Sequence, residues 1–333
     1  MTTTAASALR VGMVGHAFMG AAHSHAWRTA GRFFDLPYRV ELAAVCGRSP
    51  ERTAEAADMA KAAELAESQG VRSMVAFNYR RVPALALARQ LVQQGKVGTV
   101  HQVRAQYLQD WLVDPEFPLA WRLQKDKAGS GALGDLGAHS VDAAQFLTGQ
   151  RITSVGALLE TFVTERPLPA EASGLSGTAS SERGPVTVDD AALFTARFDG
   201  GAIGVFEATR FATGHKNAMR IEISGSAGSL SFDAESLNEL AFYDRTQDPD
   251  TAGFRRIQVT EPTHPYLDAW WPPGHLLGYE HTFTHQVRDF VTAVAAGEDP
   301  RPSFADGLQV QRVLAAVEAS AASGAQAPVN PAP

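Results

Sequence analysis

Arg10-Val11-Gly12-Met13-Val14-Gly15-His16-Ala17-Phe18-Met19-Gly20 is the stretch whose reading decides the fold. A short apolar run, typical of a buried strand, ends at Gly15, and a helical pattern runs from Ala21 to about Phe33. Between them the glycines have the strand–turn–helix form of a dinucleotide fingerprint, with Ala17 in the place of the middle glycine. The helix start would offer free N–H groups and a positive dipole end to a pyrophosphate. Gly15, His16, Ala17, Phe18, Met19 and Gly20 are therefore the first cofactor-binding candidates. A second strand, Val40 to Cys46, lies where such folds place an acid on the ribose, but Gly47-Arg48-Ser49 follows it instead. Two readings of Arg48 stand. It pairs with a 2′-phosphate or stacks on adenine, which favours NADP over NAD, or it is a solvated arginine in the turn before Pro50.

Outward from this stretch, composition sets bounds. Hydrophobic residues at 45% and charged residues at 20% are those of a globular protein with a full core. A net charge of -7 argues against nucleic acid or an anionic membrane as partner. Cys46 is the only cysteine, so no intrachain disulfide forms and a reducing compartment, the cytoplasm, is expected. Met1 to Arg10 has no apolar core of a secretory signal, and no run approaches a membrane span.

Pro50 to Gln69 reads as one helix, Ser73 to Tyr79 as a strand and Pro83 to Gln94 as a helix. From Val97 the pattern changes to strands without intervening helices: Val100–Leu108, Ile152–Val163, Ala191–Phe198, Ala202–Phe211, Met219–Ser224, Ser229–Asp233, Glu239–Tyr243 and Arg256–Thr260. Glu165 to Pro185 reads as a long surface excursion. Helices Tyr279–Ala296 and Phe304–Ser323 close the chain. The expected fold is α/β plus α+β: a truncated Rossmann-like domain over 8–80, a domain with a large open, mainly antiparallel sheet over 81–324, and a disordered tail over 325–333.

Chemistry concentrates in Gly129-Ser130-Gly131-Ala132-Leu133-Gly134-Asp135-Leu136-Gly137-Ala138-His139-Ser140-Val141-Asp142. A glycine-rich lead-in enters a helix that stops at Gly149. Asp135 is placed to cap that helix, with His139 one turn on and Asp142 on the same face. A carboxylate one turn from an imidazole fixes its tautomer and suits a general base. The alternative is a plain N-cap and a satisfied helix histidine. Trp121-Arg122 and Lys125 lie upstream in the same loop, which favours a site.

On these residues the chain resembles the Gfo/Idh/MocA family of NAD(P)-dependent oxidoreductases over almost its whole length. The resemblance rests on the Gly15/Gly20 turn, Phe77-Asn78-Tyr79-Arg80-Arg81, Trp121-Arg122, the run to Asp135-x-x-x-His139-x-x-Asp142, and Tyr279-Glu280-His281-Thr282-Phe283. Within the family it is most similar to sugar and cyclitol dehydrogenases of the inositol and levoglucosan type. The resemblance implies that Asp135 and His139 work on a substrate hydroxyl, and that the loop with Trp121 and Arg122 reaches the cofactor and substrate; Asn78 is a further cofactor-binding candidate. The family's Glu-Lys-Pro, whose lysine belongs to the catalytic set, does not occur here. Two or more βα units, at about 30 residues per βαβ, are missing between the second strand and the Phe77 motif, with the natural seam near Asp58-Met59. Either Ser73–Tyr79 moves beside the first strand in a reduced three-stranded sheet, or the N-terminal domain is loosened on an intact sheet domain.

Tyr79, Lys125, Asp142, Trp271 and His275 complete the substrate-binding candidates. Trp270-Trp271-Pro272-Pro273-Gly274-His275 suits stacking on a sugar ring or plugging an interface. His16, His23 and His25 lack partners at metal-ligand spacing, and Thr282 breaks the zinc-protease pattern between His281 and His285, so no metal is expected. Lys61, Lys125 and Lys127 read as solvated lysines before stand-ins for the missing one. Two functions follow: an NAD(P)-dependent dehydrogenase of a polyol or sugar, or a non-catalytic relative that keeps its sheet domain for binding and homo-oligomerisation.

Overall fold

A computed structural model describes residues 8–14, 18–46, 72–173 and 176–329. The chain divides into two compact units, one from 1–83 with 260–308, the other from 84–259 with 309–333.

In the first unit, β1 (Ala8–Val14) leads to α1 (Phe18–Phe33) and then to β2 (Arg39–Cys46), which pairs parallel with β1. This is the strand–helix–strand unit expected from the glycine turn. Among the described residues the sheet has these two strands only. The expected strand over Ser73–Tyr79 does not form: 72–77 is irregular and Asn78–Arg81 is a 3-10 turn. The reduced three-stranded sheet is thereby overturned. The reason lies in the partners that this apolar run finds. Val75 N–H donates to Pro302 O at 2.8 Å, and Asn78 Nδ2 donates to Thr282 Oγ1 at 2.9 Å. The segment is stitched to the closing helical region rather than to β1. The helix expected over 50–69, the seam at Asp58-Met59, Lys61 and Arg48 lie outside the described residues.

In the second unit, α2 (Pro83–Gln93) precedes β3 (Val100–Leu108), and a short α3 (Lys125–Ala128) precedes α4 (Ala138–Thr148). Then come β4 (Ile152–Glu160), β5 (Glu165–Ser173), β6 (Ser176–Pro185), β7 (Ala191–Phe198), β8 (Ile203–Thr209), β9 (Ala218–Gly225), β10 (Gly228–Asp233), β11 (Glu239–Asp244) and β12 (Arg255–Gln258). A nine-stranded sheet has the order β12-β11-β10-β9-β3-β8-β7-β4 and ends on β13 (Ala327–Pro328). Its pairs are antiparallel except β3 with β8. Alternation decides its faces: along β7, Phe194, Ala196 and Phe198 are buried while Leu193, Thr195 and Arg197 are exposed. Phe194 stacks on Phe206 of β8 with ring centroids 4.6 Å apart.

Three expectations are corrected. Glu165–Pro185 is no loose excursion, because β5 and β6 pair antiparallel as a separate hairpin. Residues 325–329 are not a disordered tail: Ala327 and Pro328 cover the edge of β4, and Val329 N–H donates to Thr153 O at 2.8 Å. The domain boundary also differs, since α5 (Tyr279–Ala296) belongs to the first unit and α6 (Phe304–Ser323) begins in it. Phe283, Val287 and Val291 stand four apart on α5 and pack on Ala26 and Ala30 of α1, whose small side chains leave a groove for them.

Candidate active site

The second unit carries the Asp135/His139 stretch, and its local geometry differs from a plain capped helix. Leu133–Gly137 forms a π-helical turn, which runs into α4. Such turns concentrate at functional sites because the wider turn re-aims side chains. Asp135 does not cap the helix. Asp189 does: its carboxylate accepts from Gly131 N–H and Leu133 N–H, each at 2.7 Å. Ala132 N–H donates to Asp189 O at 3.0 Å. The loop lies so close that a Cβ on Gly131 would stand 1.8 Å from Asp189 O, so only glycine fits there. Gly149, at φ 72°, ends α4 as expected.

Relieved of capping, Asp135 reaches the surface with its side chain 45% exposed, bound through Oδ2 to Arg210 at 2.7 Å. His139 is partly exposed, with Nδ1 buried. Burial pushes the imidazole down to about 4, against an opposing pull from the Asp135 carboxylate. The ring is therefore neutral at neutral pH, the state a base requires. Tyr107 meets it edge-on with centroids 6.1 Å apart. Tyr107 Oη and Gln109 Nε2 both donate to Asn217 Oδ1, at 2.8 and 2.9 Å, and Trp111 Nε1 donates to Gln109 Oε1 at 2.8 Å. These groups gather where the parallel strands β3 and β8 end.

The other predicted residues fall in several places. Trp121 is exposed in a 3-10 turn, with the Arg122 guanidinium over its ring at 4.5 Å. Lys125 pairs with Glu318 at 3.4 Å, and Asp142 is buried. In the first unit, Tyr79 is buried and Asn78 is committed to Thr282. Trp271 is exposed and meets Phe33 edge-on, while His275 Nδ1 sits 2.9 Å from Pro272 O. Phe18 and Met19 are exposed at the start of α1, Gly20 is partly exposed, and Gly15, His16 and Ala17 lie outside the described residues. The described first turn of α1 carries no acidic residue, and a helix N-terminus suits a pyrophosphate. Sequence reading missed Asp189, Arg210 and Asn217. The Asp189-Asp190 pair and Arg210 are charges at the ends of apolar strands, and that was the available signal.

A model of the GFO/IDH/MocA C-terminal domain matches residues 85–231. Levoglucosan dehydrogenase of Pseudarthrobacter phenanthrenivorans is 41% identical over 282 residues, covering 84% of this chain and 71% of that protein. The chain belongs to the Gfo/Idh/MocA family. Among solved structures of similar fold, an oxidoreductase domain protein from Kribbella flavida is 56% identical with a TM-score of 0.89, over 99% of this chain and 100% of that one. A levoglucosan dehydrogenase in complex with NADH and levoglucosan is 34% identical with a TM-score of 0.88, over 98% and 100%. The Gfo/Idh/MocA fold of a Rossmann-like unit and a large open sheet is thus the fold of this chain. The more distant curated relatives are matched over 58% to 65% of their length.

Proposed function

We propose that this chain is an NAD(P)-dependent dehydrogenase that oxidises a secondary hydroxyl of a sugar or cyclitol. The observation that carries the reading is the neutral, partly exposed His139 beside the exposed Asp135. His139 takes the hydroxyl proton on its imidazole. Asp135 steadies the imidazolium that forms, as a nearby anion does. When bound, a nicotinamide dinucleotide supplies the acceptor for the hydride that leaves the same carbon. Gly15 to Gly20 would hold its pyrophosphate. The similarity to a levoglucosan dehydrogenase supports a sugar as substrate.

A second reading has its own observations. The sequence holds no Glu-Lys-Pro, and no third strand flanks β1 among the described residues. In that reading two or more βα units are absent and the chain is a non-catalytic binding or oligomerisation module. Fluorescence titration with NADH and NADPH, followed by a polyol panel including levoglucosan and inositol, separates the two. Nicotinamide reduction that His139→Ala abolishes supports the dehydrogenase. Failure to bind either dinucleotide, with no turnover of any panel member, overturns it.

We also infer a homo-oligomer. Leu158, Leu193, Ile203 and Val205 are exposed on adjacent strands of one sheet face. An apolar stripe of this kind asks for cover. A monomer in light scattering would refute this. No helix among the described residues is long and apolar enough to cross a membrane, and the single cysteine fits a cytoplasmic setting.

A further inference from the structure

We propose that Arg210 is a positioning residue for this site, holding the Asp135 carboxylate in place from inside the core. The inference rests on the reading of Asp135 and His139 given above. The Arg210 side chain is 1% exposed, against 45% for Asp135. Its Nη2 donates to Asp135 Oδ2 at 2.7 Å and to Gly131 O at 3.2 Å. One nitrogen thus ties the carboxylate to the entry of the π turn that carries it. The Arg210 backbone is fixed as well, its N–H donating to Asp190 O and its carbonyl accepting from Leu112 N–H. The Trp111 ring lies 5.4 Å from the guanidinium and limits its travel.

Arg166 is the internal control. It is also buried, and its guanidinium donates to the carbonyls of Leu112, Asp114 and Phe117, pinning one loop. Arg210 makes a different use of burial. Its Nε and Nη1 are buried and make no hydrogen bond, so only Nη2 is committed. A buried cation is costly unless its donors are spent. Asp190 is a second anion in the field of this guanidinium, but the carboxylate that Arg210 hydrogen-bonds is that of Asp135, beside His139. A charge-assisted bond to one oxygen sets the direction of the whole carboxylate.

The test uses the full chain with Arg210→Met, Asp135→Asn and the double variant, each checked for folding by a thermal melt. Ring nitrogen NMR shifts of His139 at neutral pH give a readout that needs no turnover. Arg210→Met and Asp135→Asn should each move those shifts, and Arg210→Met should add nothing once Asp135 is Asn. In turnover, Arg210→Met should lower kcat about 10- to 100-fold with KM changed less than about twofold. Arg210→Lys should restore part of the loss, and where Arg210→Met does not fold, Arg210→Lys carries the same cycle. Unchanged His139 shifts in Arg210→Met, or an effect of either Arg210 variant undiminished on the Asp135→Asn background, overturns the proposal. Turnover unchanged by Asp135→Asn would instead sink the catalytic reading of Asp135, and the NMR cycle would still decide the role of Arg210.

Discussion

His139 and His285 sit in different units, and burial pushes each down to about 4, yet their surroundings differ. His285 is wholly buried on α5. Its Nε2 accepts from Trp270 Nε1–H at 2.8 Å, so its Nδ1 carries the proton, which it donates to Arg81 O at 2.8 Å. Tyr266 stacks on the same ring at 4.3 Å and donates to Asp289, which pairs in turn with Arg81. Both ring nitrogens of His285 are spent, Nδ1 on the 3-10 turn at Asn78–Arg81 and Nε2 on Trp270. His139 stands partly exposed beside an exposed carboxylate. A lowered pKa thus reports burial in both places and does not by itself tell a base from a brace.

The comparison breaks first at His139. His139→Ala should reduce turnover on the order of 10²- to 10⁴-fold, the usual worth of a general base, while the melting temperature scarcely moves. A loss of stability in place of a loss of rate would make His139 a second brace. Next in size is His285→Ala. It strands a buried indole N–H and a carbonyl and opens a cavity, so urea unfolding should show a loss of about 2–4 kcal/mol. A variant as stable as the parent would show that Trp270 and Arg81 find other partners.

A pH series sharpens the comparison without removing any side chain. Each histidine binds its proton near 6.5 when unfolded and near 4 when folded. The unfolded chain therefore holds more protons between these values, and stability falls as pH drops through that window. Each histidine should contribute about 1.4 kcal/mol per pH unit at most, fully present above 6.5 and lost on approaching 4. Unfolding free energies measured at several pH values should show a slope that His139→Ala reduces by one proton, leaving the His285 contribution. An unchanged slope in that variant would show that His139 is not shifted.

How much of this was legible beforehand follows the same division between local pattern and distant partners. Gly15/Gly20, the alternation along Ala191–Phe198 and the cap at Gly149 are signals written within a few residues, and the elements they predict are present. Met74-Val75-Ala76-Phe77 carried a strand pattern, yet Pro302 and Thr282, more than 200 positions away, claimed its hydrogen bonds. Asp135 was misread as a cap, because Asp189, on the far side of the β5–β6 hairpin, supplies the cap instead. The assignment of α5 to the first unit depends on Ala26 and Ala30 being small, and their consequence shows only once Phe283 and Val287 are set against them. A single chain shows its periodicities openly, but partners far apart in sequence have to be found in space.

The smallest expected effect tests the surroundings of His139 rather than the base itself. Tyr107 approaches the His139 ring edge-on, and its hydroxyl is held by Asn217 at 2.8 Å. Gln109 donates to the same oxygen of Asn217 and accepts from Trp111, so the tyrosine belongs to a network at the strand ends. Tyr107→Phe removes one hydroxyl and keeps the ring. Asn217 still receives Gln109, which limits the loss to about 1 kcal/mol in unfolding free energy. The ring contact that shields the imidazole survives, so turnover should change by no more than about threefold. A much larger fall in rate, at unchanged stability, would place the Tyr107 hydroxyl itself on the substrate. The site would then have a hydroxyl donor beside its imidazole, and His139 would share with Tyr107 the proton work assigned to it alone.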